Sequence, residues 1–525
     1  MREQQEISSL QNEESSSVDP SLTGSSVGQS EEGSARHERD TRLYTLRVAF
    51  VGNVDSGKSS LIGTLIKGEL DDGRGSSRKA IFRHKHEIET GRTSSVATAY
   101  IGFDVNGNQI VSKRAGKSIP SAELASIAEK RIQLIDLAGH EKYLKTTVYG
   151  LTGMQPDIVI VVIGANMGVK RMTKEHLAIA VALEIPIIVA LTKIDIAPKN
   201  VAMETMKVIR QSLRRYGKMA ITVRTEEQAA KAAANLISGR IAPILPISNV
   251  TGDGLSNLKH FFSEISPCAL IKRNLSLKSS GSSEKSEKAN EHNKEMDINL
   301  NDNVELPVDE TYQVPGVGFV IAGTLGQGEI KVNDTFLLGP DYYGHFQKVS
   351  IRSIECMYLP VKSILQGQTA AIAVRPVNKK QIINRSTFRK GMVLLSSNMC
   401  VDNYVSHTFE ARVIILHHQT TVTLGYQPMI NCRTIRQTAK IIAIEDLCQH
   451  SKPESFSGQL SEQDHEDVPA IRTGDRALVR FKFIHSPEFL RKGMRFVFRD
   501  GQAKGIGKVI RLIPMEKYNS NEHST

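Results

Sequence analysis

The residues Gly52-Asn53-Val54-Asp55-Ser56-Gly57-Lys58-Ser59 have the types and spacing to hold a chain of phosphates. Glycines at both ends of such a loop let successive backbone N–H groups curl around phosphate oxygens at a helix N-terminus, where partial positive charge already favours an anion. Lys58 then neutralises the β- and γ-phosphates, and the Ser59 hydroxyl is placed for Mg²⁺. A Gly-rich turn before an ordinary helix is the plainer reading of an isolated motif, so its context decides. The apolar run 46–51 before it reads as a buried strand and residues 60–66 after it as an amphipathic helix.

Three further elements follow in order, each at the C-terminal end of an apolar run. Residues 132–135 close on Asp136-Leu137-Ala138-Gly139-His140, where an acidic side chain can hold a Mg²⁺ hydration shell and a glycine N–H can meet a γ-phosphate. Residues 187–191 lead into Thr192-Lys193-Ile194-Asp195, in which the carboxylate can accept from N1 and N2 of guanine while the lysine stem covers the ring. Adenine offers no such donor pair. Residues 241–247 end at Ser248-Asn249, placed to give a backbone N–H to guanine O6. Each tetrapeptide alone is weak, but four in sequence match the crevice at the strand ends of an open α/β sheet. The ligand this implies is GTP or GDP with Mg²⁺.

With these motifs on the page, the chain resembles the translational GTPases typified by elongation factor Tu. The resemblance rests on the V-D-x-G-K form of the phosphate loop and on Glu141-Lys142-Tyr143 after His140. It also rests on the run Val314-Pro315-Gly316-Val317-Gly318-Phe319 with Gly328-Glu329-Ile330, on Arg389-Lys390-Gly391-Met392-Val393-Leu394, on Gly425-Tyr426-Gln427-Pro428, and on Thr473-Gly474-Asp475 with Gly493-Met494-Arg495-Phe496. Gly91-Arg92-Thr93-Ser94-Ser95-Val96 and Ser248-Asn249-Val250-Thr251-Gly252 resemble the eukaryotic subgroup of GTP-binding proteins one and two. The resemblance implies an α/β P-loop GTPase domain followed by two all-β barrels. It implies that His140 orients the attacking water, that Thr93 joins Ser59 and Asp136 around Mg²⁺ in the GTP state, and that Asp55 can help bind a monovalent cation. It also implies a tRNA, ribosomal or other RNA partner, or alternatively a GTP-gated adaptor for proteins such as those of RNA decay. Two departures stand out. Thr192 replaces a commoner Asn, so the amide tie between base and phosphate loops is expected to be lost; Arg92 stands where an apolar residue screens the histidine.

Composition agrees. The chain of 525 residues has room for roughly three domains. The expected organisation is a disordered extension over 1–42, the GTPase domain over 43–268, a flexible linker over 269–304, a barrel over 305–398 and a second barrel over 405–515 with an insertion at 447–469. No apolar stretch approaches the ~20 residues that span a bilayer, and the first residues lack a signal-peptide core. The five cysteines are widely spaced without a C-x-x-C pair, so neither a disulfide framework nor structural zinc is expected. A cytoplasmic monomer is expected. The ending shortly after the third domain suggests a factor without the fourth domain of selenocysteine-specific relatives. Of the net charge of +11, residues 471–518 carry a large share, with twelve Lys or Arg against four acids, and Arg491, Lys492 and Arg495 are the candidates there for RNA phosphates.

Base choice gives the first test. Asp195→Asn is expected to weaken GTP and favour xanthosine triphosphate, since a site built to pair a polar group discriminates by ~10⁴-fold or more; unchanged affinities for both nucleotides refute the assignment.

Overall fold

The computed structural model describes residues 45–514 apart from 83, 113–117, 268–269, 271–303, 379–387, 418–420, 447–469 and 501–502. The expectations for 1–42, for most of 269–304 and for 447–469 lie outside the described residues. Strands β1 (Thr45–Gly52), β2 (Ala97–Phe103), β3 (Gln109–Ile110), β4 (Lys130–Asp136), β5 (Ile158–Gly164), β6 (Ile187–Thr192), β7 (Met219–Thr222) and β8 (Ile241–Pro246) form one sheet. Its order is β3-β2-β4-β1-β5-β6-β8-β7, parallel except where β2 runs against β4 and β3.

The sheet is apolar on both faces, as a parallel sheet covered by helices must be. Alternation along β1 sends Leu46, Val48 and Phe50 to one face and Ala49 and Val51 to the other. The first face is covered by α1 (Lys58–Lys67), with two short elements, α2 (Lys85–Thr90) and α3 (Ser121–Ile127), following in the chain. The other face is covered by α4 (Leu144–Thr152), α5 (Arg171–Ala182) and α6 (Lys199–Arg215), while α7 (Glu226–Leu236) and α8 (Leu255–Glu264) return to the first. The phosphate loop, Asp136–His140, Thr192–Asp195 and Ser248-Asn249 each follow the C-terminal end of a strand, so the order β4-β1-β5-β6-β8 brings these four to one edge, whereas Thr93 precedes β2.

The remaining strands form two barrels. In the first, Thr335–Gly339 pairs with both Val393–Ser396 and Gln347–Cys356, which closes a ring through Glu305–Val314, Gly318–Thr324 and Thr369–Pro376. The second is a closed six-strand barrel over Thr408–His417, Met429–Cys432, Ile435–Asp446, Arg476–Phe483, Arg495–Asp500 and Ala503–Ile513. Phe409, Phe481 and Phe496 fill it with ring centroids 5.4–5.6 Å apart, each burial contributing about 1.5–3 kcal/mol. Gly505 and Gly507 give room to the rings of Phe498 and Phe496: a Cβ there would stand 2.1 Å and 2.2 Å from them, respectively.

The barrels are joined to the sheet domain and to each other by charge and packing. Val497, on the outer face of the second barrel, belongs to the apolar cluster that contains Leu144 and Val148 of α4. Arg495 pairs with Glu184 and donates to the Ala182 carbonyl at 3.2 Å. Glu305, at the start of the first barrel, pairs with Arg433 and, at 3.0 Å, with Arg491 of the second, and Arg389 pairs with Glu488 at 2.8 Å. Arg491 also lies over the rings of Tyr404 and Phe489. The expectation that Arg491 and Arg495 face RNA is therefore corrected: both guanidinium groups hold domains together.

Removing a buried carboxylate leaves its cations uncompensated, which typically costs 3–5 kcal/mol, whereas an exposed helix pair contributes a few tenths. Glu305 is 2% exposed. Glu305→Ala is expected to lower stability by about 3 kcal/mol in urea titration, while Glu227→Ala, which breaks the exposed Glu227–Lys231 pair, should change it by less than about 0.5 kcal/mol.

Candidate functional site

The phosphate loop leaves β1 at Gly52 and enters α1 through Gly57, whose φ of 88° lies in the left-handed region and favours glycine. Asp55 stands exposed beside it with φ 58°. The Ser56 hydroxyl donates to the Asn53 carbonyl at 2.9 Å, and the buried Lys58 ammonium donates to the same oxygen at 2.8 Å. Burial holds the Lys58 pKa below its usual value, partly offset by the charges of Asp136 and Asp55. A buried cation with an upward turn of N–H groups gains most from an anion laid against it.

Asp136 ends β4 wholly buried, and three chain segments meet on it. Its Oδ2 accepts from Ser59 at 2.7 Å and from Thr93 at 3.0 Å, and the two hydroxyls are 2.9 Å apart. Desolvation raises the carboxyl pKa, while Lys58 and the two hydroxyls pull the other way. Asp136 Oδ1 is buried with no hydrogen-bond partner. Three converging oxygen donors and an orphaned carboxylate oxygen fit the hard, hydrated Mg²⁺ ion rather than a soft metal. No cluster of three or more His, Cys, Asp or Glu occurs among the described residues to suggest another metal.

Leu137 and Ala138 are fully buried behind this point, and Gly139 is pressed against the phosphate loop: a Cβ there would stand 2.5 Å from Lys58 Nζ. His140 accepts the Lys142 N–H at Nδ1, 3.1 Å away, and meets the Tyr143 ring edge-on. When the imidazole is neutral, that bond puts its proton on Nε2. Val54, Lys58, Ser59, Thr93, Gly139 and His140 line one cleft, and Arg92 and Arg78 line it with them. Arg92 is exposed and lines the cleft together with Val54.

At the other end of the crevice, Lys193 takes φ 60° and leaves Asp195 exposed, with Ile194 packed on the core. Ser248 is buried and its hydroxyl accepts the N–H groups of Val250 and Thr251 at 3.1–3.2 Å, which sets the loop. The neighbouring Asn249 carbonyl accepts from Asp71 N at 2.8 Å. The loss expected at Thr192 is not what the structure shows. Its hydroxyl donates to the Ser56 carbonyl at 2.6 Å, so a tie between base loop and phosphate loop persists with a shorter side chain.

Three residues that the motifs did not single out organise the segment between the phosphate loop and Thr93. The Asp71 carboxylate accepts from Ser77 N at 2.9 Å and Gly75 N at 3.2 Å. Glu87, wholly buried, accepts from Ser94 N at 2.8 Å and Ser95 N at 3.1 Å. Arg78 lies in a slot between Gly75 and Gly91, where a Cβ would stand 2.6 Å and 2.9 Å from its guanidinium, and donates to the Gly91 carbonyl at 3.3 Å. A pair of glycines flanking an Arg at these offsets is the signal that could have found it.

Residues 44–268 match the family model of the elongation factor Tu GTP-binding domain, and residues 404–513 that of the elongation factor Tu C-terminal domain. GTP-binding protein 1 of Xenopus laevis is 42% identical over 90% of this chain, which spans 64% of that protein's length. Human GTP-binding protein 2 is 35% identical over 89% of this chain and 69% of its own. Among solved structures, a bacterial selenocysteine-specific elongation factor superposes with a TM-score of 0.53 at 19% identity, covering 89% of this chain and 58% of that one, a likeness of fold.

The Thr192 tie is testable. Thr192→Val keeps the shape and leaves the Ser56 carbonyl unpaired, at a cost of about 1–3 kcal/mol. Dissociation constants for GTP and GDP are expected to rise together by roughly ten-fold or more; unchanged values in a fluorescent-nucleotide titration show that the bond does not support the site.

Proposed function

Since the chain belongs to the family of elongation factor Tu-like GTPases that includes GTP-binding proteins 1 and 2, we propose that it hydrolyses GTP to GDP and phosphate as a switch whose output is the capture or release of an RNA partner, tRNA or ribosome. The observation that carries this reading is the convergence of Ser59, Thr93 and Asp136 beside Lys58 and His140 in one cleft. Ser59, Thr93 and Asp136 are the residues that would hold Mg²⁺, which would supply charge neutralisation to the phosphates. Lys58 and the loop N–H groups bind the β- and γ-phosphates. The Nε2–H of His140 donates to the attacking water and aims it in line with the γ-phosphorus; with Nδ1 occupied, the ring orients this water rather than taking its proton. Loss of the γ-phosphate would release Thr93 from the metal, and the segment ordered by Glu87 and Asp71 is then free to change, the order-to-disorder step by which such switches signal. Asp55 is the group this reading gives to a monovalent cation.

The RNA side rests on the second barrel. Arg412 is opposite Lys508 on neighbouring strands. Arg412, Arg476, Lys482 and Lys492 are exposed, while Arg480 and Arg511 share the carboxylate of Glu410. This reading also makes the chain a cytoplasmic monomer, a reducing setting that suits the free Cys356, Cys400 and Cys432. No helix among the described residues is long and apolar enough to cross a membrane.

Single-turnover hydrolysis with ribosomes and a tRNA titration at several salt concentrations test the proposal together. His140→Ala is expected to bind GTP nearly as tightly as the parent and to lose the stimulated rate, because water is oriented in the transition state. Alanine at Arg412, Arg476 and Lys482 together should reduce the slope of log affinity on log salt by roughly 0.7–0.9 per lost phosphate contact. No salt-sensitive RNA binding, with nucleotide-dependent capture of proteins alone, overturns the RNA reading.

A further inference from the structure

A second cationic cavity lies where α4 meets the second barrel, apart from the nucleotide crevice. It has a volume of about 160 Å³ and is lined by Lys145, Gln427, Met429, Asn431, Arg436, Thr438, Arg499 and Asp500. Strand geometry explains why these side chains meet. Asn431 is opposite Arg436, and Met429 is opposite both Thr438 and Arg499, so alternate residues of three adjacent strands share one outer face. Val497, opposite Asn431 on that face, is the residue that docks on the sheet domain.

The face is unusual in what it buries. Arg499 is 8% exposed and Asn431 is 3% exposed, yet Arg499 Nη1 and Asn431 Nδ2 are both buried donors with no acceptor. The second guanidinium of the cavity, Arg436, is close enough to act on Arg499 as a like charge, and among the described residues Asp500 and Glu175 act on it in the opposite sense. Glu175 already pairs with Arg171. Lys145 on α4 adds a third cation from the opposite wall. Two orphaned donors and three cations against one exposed carboxylate in the lining amount to a hydrogen-bonding and charge deficit that an oxyanion removes and a water molecule removes only in part, because water neutralises no charge.

We propose that this cavity is a binding site for a phosphate group, held by Arg499, Asn431, Arg436 and Lys145. The inference is independent of the RNA reading above, since the group can belong to a free phosphate compound or to a nucleic acid backbone. A phosphate there joins α4, the helix that follows His140, to the barrel. A planar guanidinium and a side-chain amide reach adjacent oxygens of one tetrahedral anion, and the aliphatic part of Met429 closes the wall beside them.

The test uses the full chain saturated with GDP and Mg²⁺, so that the nucleotide site is filled, titrated with inorganic phosphate against sodium chloride at matched ionic strength, with heat and the rise in melting temperature as readouts. Saturable binding in the millimolar range or tighter is expected. Arg436→Gln, an exposed position that folding tolerates, should weaken it at least several-fold, and Asn431→Asp, which places a negative charge among the ligands, should abolish it. Arg499→Gln should also abolish it, and a nucleotide affinity equal to the parent's shows that the variant is folded. Competition between tRNA and phosphate assigns the site to a nucleic acid backbone, and its absence assigns it to a free phosphate compound; each supports the cavity as a phosphate site. No saturable binding, or binding that Arg436→Gln and Asn431→Asp leave unchanged, overturns the proposal.

Discussion

The carboxylate of Asp136 is the joint on which the sheet domain's chemistry turns. It lies at the end of β4 with no exposed surface, and it gathers a hydroxyl from the helix after the phosphate loop and another from the segment that ends at Thr93. Those three segments are far apart in the chain and share no secondary structure. An ionised carboxylate in such a place is costly unless donors and a cation surround it. Lys58 and the two hydroxyls supply part of that compensation, and the unpaired Oδ1 leaves room for more.

From that joint a mechanical path runs outward. Thr147 of α4 donates to the Ala138 carbonyl at 2.7 Å, so the helix is fastened to the loop that carries Gly139 and His140. Leu144 and Val148 of the same helix pack with Val497 of the second barrel. Arg495 to Glu184, the Glu305 ion pairs, and the Tyr149 hydroxyl donating to the Asp309 carbonyl of the first barrel at 3.3 Å then complete a closed circuit of three folded units. The barrel strand Arg495–Asp500 serves this circuit with alternate residues: Arg495 reaches the carboxylate, Val497 the apolar cluster and Arg499 the cavity.

Much of this was legible from the chain alone, and the remainder was not for identifiable reasons. The apolar runs before Gly52, Asp136, Thr192 and Ser248 carry strand signals that are local in sequence, and the structure has strands there. The all-β character after the linker is likewise carried by short runs and glycine turns. The compensation at Thr192 is a contact across 136 residues, which no local pattern encodes. Arg495 reads as one more lysine-like surface charge until Glu184, 311 residues away, is placed beside it. Asn431 and Arg499 become neighbours of one cavity only through strand register, which is a property of pairing and not of either segment.

The fastening of α4 to both the His140 loop and the barrel has a thermodynamic corollary. If the helix takes different positions with GTP and with GDP, any ligand whose contacts with the barrel differ between those positions must alter the ratio of the two nucleotide affinities by the same factor that the nucleotides alter its own. The two binding equilibria cannot be tuned separately. A substitution at Val497 that loosens the contact should then erode both effects in equal measure, even though the residue touches neither ligand.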